Sequence, residues 1–178
     1  MMARYQVTNL NSLDGMEAKG FRVTLRRDGG PVAVVTDPGT GGPFIFEWHD
    51  RDAIALVKTV DYCNAPHEFM GTAEEAAFHA HCIALPMLSG VDGSEWYQRP
   101  DIVIGELVRI AQCGRRLSRW FKSKVVFIEN GKAYTVQVPS GQTAQSIQAH
   151  LREQRTGVVI LNTLDLSHAV QLAIAAGL

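Results

Sequence analysis

The stretch from Gly20 to Trp48, GFRVTLRRDGGPVAVVTDPGTGGPFIFEW, leaves the chain little choice of local structure. Phe21, Val23 and Leu25 alternate with Arg22, Thr24 and Arg26, the period-two pattern of a strand with one buried and one wet face. Asp28-Gly29-Gly30 supplies the positive φ angles that a tight hairpin needs, so Pro31 to Thr36 reads as the returning strand. Asp37-Pro38-Gly39-Thr40-Gly41-Gly42-Pro43 is dense in turn formers and reads as a loop. Phe44, Phe46 and Trp48 then alternate with Ile45 and Glu47 as a third strand. An antiparallel meander is expected.

The flanking segments extend this plan. Tyr5 to Leu10 reads as a leading strand, and Asn11 to Gly20 as a polar connection turning at Asp14-Gly15. Asp50 suits the cap of a helix across Arg51 to Tyr62, with Ile54, Leu56 and Val57 as its apolar contacts, and Cys63 to Gly71 ends it. Thr72-Ala73-Glu74-Glu75 has capping-box form and opens a second helix that stops before Pro86. Met87 to Arg99 reads as a loop and hinge carrying Trp96 and Tyr97. Pro100 opens a long helix in which Val103, Leu107, Ile110, Leu117 and Phe121 keep one apolar face. Asn130-Gly131, between Val125–Ile128 and Ala133–Val138, is the strongest hairpin signal in the chain. Ser140 or Thr143 starts a further helix to Gln154, Val158 to Leu161 forms a strand, and Leu166, Val170 and Ile174 stripe a closing helix.

The expected fold class is therefore α+β: an N-terminal antiparallel β-meander with two helices, then a long basic helix, β-hairpin, helix, strand and closing helix. Residues 1–98 and 99–178 form the two regions, as separate units or as one compact domain. The 178 residues, 46% of them hydrophobic, suffice for a real core. Net charge is −1, but residues 1–98 hold seven basic and thirteen acidic side chains (−6), whereas residues 99–178 hold ten and five (+5). Such asymmetry suits an anionic partner on one face, or two halves that attract each other. Cys63, Cys82 and Cys113 are odd in number and widely spaced, which argues against a disulfide framework or thiolate zinc site and for reduced thiols in the cytoplasm. No apolar signal core opens the chain, and no window approaches the roughly 18 apolar residues of a membrane span, so no membrane partner is expected.

The motifs that could carry chemistry are incomplete. The Gly39–Pro43 loop lacks the lysine of a phosphate-binding loop and leads into a strand rather than a helix. His79 and His81 are two residues apart on a predicted helix, where they face different ways, and HExxH is absent. No GxSxG elbow or recognisable cysteine signature occurs. Asp50/Asp52 and Glu74/Glu75 sit at helix starts, where the macrodipole accounts for them. Neither catalytic residues nor a metal or cofactor are assigned from the sequence.

Arg109, Gln112, Arg116 and Arg119 recur at three- and four-residue spacings, extended by Arg115, Lys122 and Lys124. A stripe of this kind is a solvated helix face, a dock for an acidic protein surface, or a neutraliser of phosphates. Trp120 reads as core or part-core rather than a base-stacking platform. The partner-binding candidates are Arg109, Arg115, Arg116, Arg119 and Lys122, joined by the loop aromatics Trp96 and Tyr97.

The pattern G-F-x-V-x-L-x-x-D-G from Gly20, the loop ending Gly41-Gly42-Pro43 and the aromatic strand after it resemble a group of small uncharacterised proteins of bacteriophages, prophages and plasmids. The likeness covers the first fifty residues best, then the late hairpin, the Val159–Asn162 strand and the closing helix. Thr36-Asp37-Pro38-Gly39 departs from it, since an asparagine-aspartate-glycine stretch often precedes the double glycine in that group. The resemblance implies an accessory gene of a mobile element, whose products often bind and block a host protein. The expected function is a non-enzymatic interaction protein that inhibits a host defence complex by binding an acidic surface. A nucleic-acid-binding protein using the basic helix 100–122 is the alternative, and a small hydrolase or transferase with an unrecognised site is the third reading.

Overall fold

The structure is a computed structural model and describes residues 5–15, 18–61 and 63–178. The chain divides into two compact units between Val108 and Arg109. In the first, β1 (Tyr5–Asp14), β2 (Lys19–Arg27), β3 (Gly30–Asp37) and β4 (Ile45–Trp48) form one antiparallel sheet in sequential order. β1 runs past Leu10 into the segment expected as a polar connection, with Asn9 at φ 52° taking up the register shift between Thr8 and Asn11. The N-terminal residues 1–4, Met16 and Glu17 lie outside the described residues.

Asp28 (φ 49°) and Gly29 (φ 83°) are the central pair of the β2–β3 turn, with Arg27 opposite Gly30. Two successive positive φ angles in a two-residue loop are the type I′ signature, whose twist matches that of the strands. Gly30, expected to share in it, begins β3 without a positive φ.

The largest departure from expectation follows β4. Residues 51–61 are not the expected helix: β5 (Ile54–Val60) pairs with β6 (Pro66–Thr72), the segment expected to end that helix, in an antiparallel hairpin with Leu56 opposite Met70. Tyr62 lies outside the described residues. The burial has period two, with Val57 buried and Ile54, Leu56 and Lys58 exposed. Ile, Val and Thr supply the β-branched surface that a strand favours.

Asp50 does cap a helix, at a distance: its Oδ2 accepts the Glu74 N–H (2.7 Å) of α1 (Ala73–Ala84). α1 begins with a complete capping box, Thr72 Oγ1 accepting from Glu75 N (3.1 Å) and Glu75 Oε2 from Thr72 N (3.3 Å). Its Phe78, 0% exposed, meets Tyr5 at 4.9 Å, Trp48 at 6.1 Å and Phe46 at 6.2 Å between ring centroids, which fastens the helix to the sheet. A small hairpin follows, β7 (Leu88–Ser89) with β8 (Glu95–Trp96), then α2 (Pro100–Trp120), whose Val103, Ile104 and Val108 are buried.

In the second unit β9 (Lys124–Glu129) is the middle strand of a three-stranded antiparallel sheet, between β10 (Lys132–Gln137) and β11 (Val159–Ile160). Asn130 (φ 50°) and Gly131 (φ 73°) repeat the two-residue turn, with Glu129 opposite Lys132. Val125 and Phe127 pack with Ile147 and Leu151 of α3 (Ala144–Gln154), which Thr143 caps. Val126 points the other way, into a cluster with Cys113 and Leu117 of α2 and Ala169, Val170 and Ala173 of α4 (Leu166–Ala175). β9 is thus buried on both faces, and the unit has three layers.

β11 is only two residues long, and a side chain continues its pairing. Asn162 accepts the Val126 N–H at Oδ1 (2.7 Å) and donates from Nδ2 to the Lys124 carbonyl (2.9 Å), as a strand residue's backbone would. In the first unit Gly15, Gly20 and Gly39 permit a similarly close approach. The Ala18 N–H donates to the Gly39 carbonyl (3.0 Å), and a Cβ on buried Gly39 would collide with the Ala18 carbonyl and lie 3.0 Å from the Gly15 Cα. Gly39 also has φ 68°, so an L side chain there is strained as well as crowded.

Two consequences are testable by urea unfolding of single variants. Gly39→Ala is expected to destabilise by about 2 kcal/mol or more, whereas Gly42→Ala, at ordinary φ with only Thr40 Oγ1 near (3.5 Å), stays within about 0.5 kcal/mol of the parent. Equal losses at both positions would remove the loop contact as a cause. Asn162→Ala leaves a buried N–H and a carbonyl of the central strand unpaired and is expected to cost about 1–3 kcal/mol. An unchanged midpoint would refute the strand-continuing role.

Candidate functional site

The candidate surface begins where the chain's charge is most one-sided. Up to Val108 it carries eight basic and fifteen acidic residues (−7); from Arg109 onward it carries nine basic and three acidic (+6). Two of those three acids are already engaged, Glu129 with Arg155 (2.6 Å) and Asp165 as the cap of α4. From residue 109 to residue 124 there are six cations and no acid. The compact units therefore separate the charge more sharply than a division at residue 98 does.

Helical spacing and the buried positions decide how this segment is presented. Cys113 and Leu117 turn into the core, which leaves Arg109, Gln112, Arg115, Arg116 and Arg119 exposed on α2 and Lys122 exposed in the turn after it. Cations at a helix C-terminus also offset the negative end of its dipole, so Arg119 and Lys122 stabilise the helix whatever they bind. Trp120 packs against the α2–α4 cluster, with Arg116 Cζ 5.9 Å and Lys124 Nζ 5.2 Å from its ring centroid. Cation–π contacts of this kind are worth about 0.5–1 kcal/mol when exposed and hold a long side chain in place.

Trp96 and Tyr97 belong to the first unit, and the cationic residues to the second. Trp96, 36% exposed on β8, lies against Gly90, while Tyr97 is half-buried with its N–H bonded to Asn64 Oδ1 (3.1 Å). The cations and the two aromatics do not form one cluster within either unit.

The histidines diverge. His79 Nδ1 lies 2.8 Å from Thr59 Oγ1, with the Phe69 ring edge-on at 5.7 Å, whereas His81 lies against Tyr5 at 4.8 Å. Burial pushes both imidazoles below their ordinary value. Among the described residues no group of three His, Cys, Asp or Glu side chains is placed to hold a metal ion. Cys82 is buried and its thiol pushed up to about 12 by that burial; Cys113 is raised by burial too, with Arg116 and Arg109 pulling back, so neither presents a thiolate near neutral pH. No helix among the described residues is long and apolar enough to cross a membrane. No protein-family model, curated protein or solved structure matches the chain.

Sequence reasoning located the cationic stripe but missed the Thr59–His79 pair. Thr59 stands opposite His67 across β5 and β6, and a helix over residues 51–62 could not have brought it there. The β-branched run Val57 to Val60 was the available signal.

The histidines generate a pH prediction. Between the ordinary value of 6.5 and the lowered folded value, the unfolded chain binds a proton that the folded protein lacks at His79 and His81. The stability is therefore complete above pH 6.5 and lost as pH falls through the folded values. Urea unfolding free energy is expected to decline below that pH, less steeply in a His79→Gln/His81→Gln variant than in the parent. Identical slopes would contradict the assignment.

Proposed function

We propose that this protein is a non-enzymatic interaction protein of a phage or other mobile element that docks an acidic surface of a host protein, such as a component of a defence complex, through the cationic half of α2. The observation that carries this reading is the run of six cations without an acid from Arg109 to Lys124, two of which, Arg116 and Lys124, overlie Trp120.

The physics favours a protein partner in two respects. Isolated surface ion pairs contribute only about 0–1 kcal/mol, but a one-signed patch steers encounter and rejects like-charged surfaces. Arg116, already held over Trp120, loses less side-chain freedom on docking than a free arginine, and Trp and Arg are the residue types that dominate binding energy. The same cations favour nucleic acid as the second reading. Against it stands Trp120, whose ring is packed on the core and overlain by cations rather than open for base stacking.

The test isolates the complex from the host and challenges it with one charge reversal. Arg116→Glu is expected to weaken binding by about 2 kcal/mol or more, roughly 30-fold, with the unfolding midpoint of the free protein essentially unchanged. Sub-micromolar binding to duplex or single-stranded nucleic acid at about 150 mM salt, removed by the same substitution and falling steeply with added salt, would replace this reading by the second.

A further inference from the structure

The first unit contains an open cleft of about 630 Å³ to which the cationic surface makes no contribution. Its size lies within the roughly 300–1,000 Å³ range of small-molecule sites. The Gly41–Phe44 loop and Phe46 line one part of it, and Thr59, His67 and His79 another. Thr59 occupies His79 Nδ1, which leaves Nε2 as the ring nitrogen that a ligand would meet, and Phe69 sets the plane of the imidazole from its edge. Aromatic walls with a few fixed polar groups are the composition of a ligand pocket rather than of a packing defect.

Charge narrows the class of ligand. The lining holds the carboxylates of Asp61 and Asp101 against the guanidinium of Arg99, which is paired with Asp101 at 3.2 Å. Asp61 Oδ1 is committed to the N–H groups of Cys63 (2.7 Å) and Ala65 (2.9 Å). With His79 held neutral by burial near pH 7, a phosphate or carboxylate entering the cleft would meet more negative charge than positive. We infer that the cleft is a binding site for a small uncharged heteroaromatic compound, its ring against Phe44 and Phe46 and a ring nitrogen or amide hydrogen-bonded to His79.

Isotope-labelled full-length protein titrated with benzimidazole, and in parallel with phenyl phosphate, tests this by the ring resonances of His79 and Phe46. Benzimidazole is expected to shift both saturably, with a Kd on the order of 1 mM as befits a fragment, and phenyl phosphate to bind at least about 5-fold more weakly. Gly42→Phe places a ring at the rim without strain, since Gly42 has ordinary φ and open space apart from Thr40 Oγ1 at 3.5 Å, and is expected to abolish the shifts with the fold intact. The inference is overturned if benzimidazole, indole and adenine all leave the His79 and Phe46 resonances unmoved. Phenyl phosphate binding as tightly as benzimidazole, or benzimidazole binding that survives a folded Gly42→Phe, overturns it equally.

Discussion

The first unit depends on one ring being dry. Phe78 is wholly withdrawn from water among Tyr5, Phe46 and Trp48, so α1 can sit in only one rotation against the sheet. With the rotation set, the rest of the helix has no freedom left. Its first turn meets Asp50, and Glu74 pairs with Arg27 at the end of β2. His79, one residue after Phe78, is aimed at Thr59 of the β5–β6 hairpin, while Cys82, four residues on, returns to the core. A Cβ on Gly71 would strike Glu75 and lie 2.8 Å from Val57 Cγ2, so the hairpin approaches the helix as closely as a backbone can. Removing the phenyl ring would open a cavity at the seam between the sheet and the helix, bordered by Tyr5, Phe46 and Trp48.

The charge pattern works on a different scale from this packing. Whole-chain neutrality, −1 over 178 residues, conceals units of −7 and +6. A property averaged over the chain, such as its isoelectric point near 6.6, therefore describes neither surface that a partner would meet. In the second unit Arg109, Arg115, Arg116 and Arg119 occupy the side of α2 left exposed when Cys113 and Leu117 are buried, so the packing that folds the unit also presents these four cations.

Local rules made much of this legible in the sequence, and non-local contacts hid the rest. Asn130-Gly131 and, within Asp28-Gly29-Gly30, the first two residues are read correctly because a type I′ turn needs two left-handed residues in succession, whatever surrounds it, while Gly30 begins the strand. Thr72 to Glu75 is read correctly because a capping box is closed within four residues. Asp50 misleads for the opposite reason: it is a helix cap, but for a helix that begins at Ala73, and the strand Ile54–Val60 lies between them. The same non-locality conceals the cleft, whose Thr59, His67 and His79 come from three elements and form no motif in the chain. The stripe Arg109, Arg116 and Arg119 is visible since it needs only helical periodicity; the contact of Lys124 with Trp120 needs the turn that carries the chain from α2 into β9.

The two-sided burial of β9 bears on how the second unit comes apart. Val126 serves the α2–α4 cluster, and its neighbours Val125 and Phe127 serve the α3 cluster, so the two cores share a wall one strand thick. Detaching either layer wets residues that adjoin, along the backbone, those supporting the other. The Asn162 amide binds the same strand from its edge, and it cannot let go while Val126 N–H stays dry. Such an arrangement resists partial opening: the layers leave as a single cooperative block, and the β9 amides that face bonded partners exchange with solvent only when the whole block does.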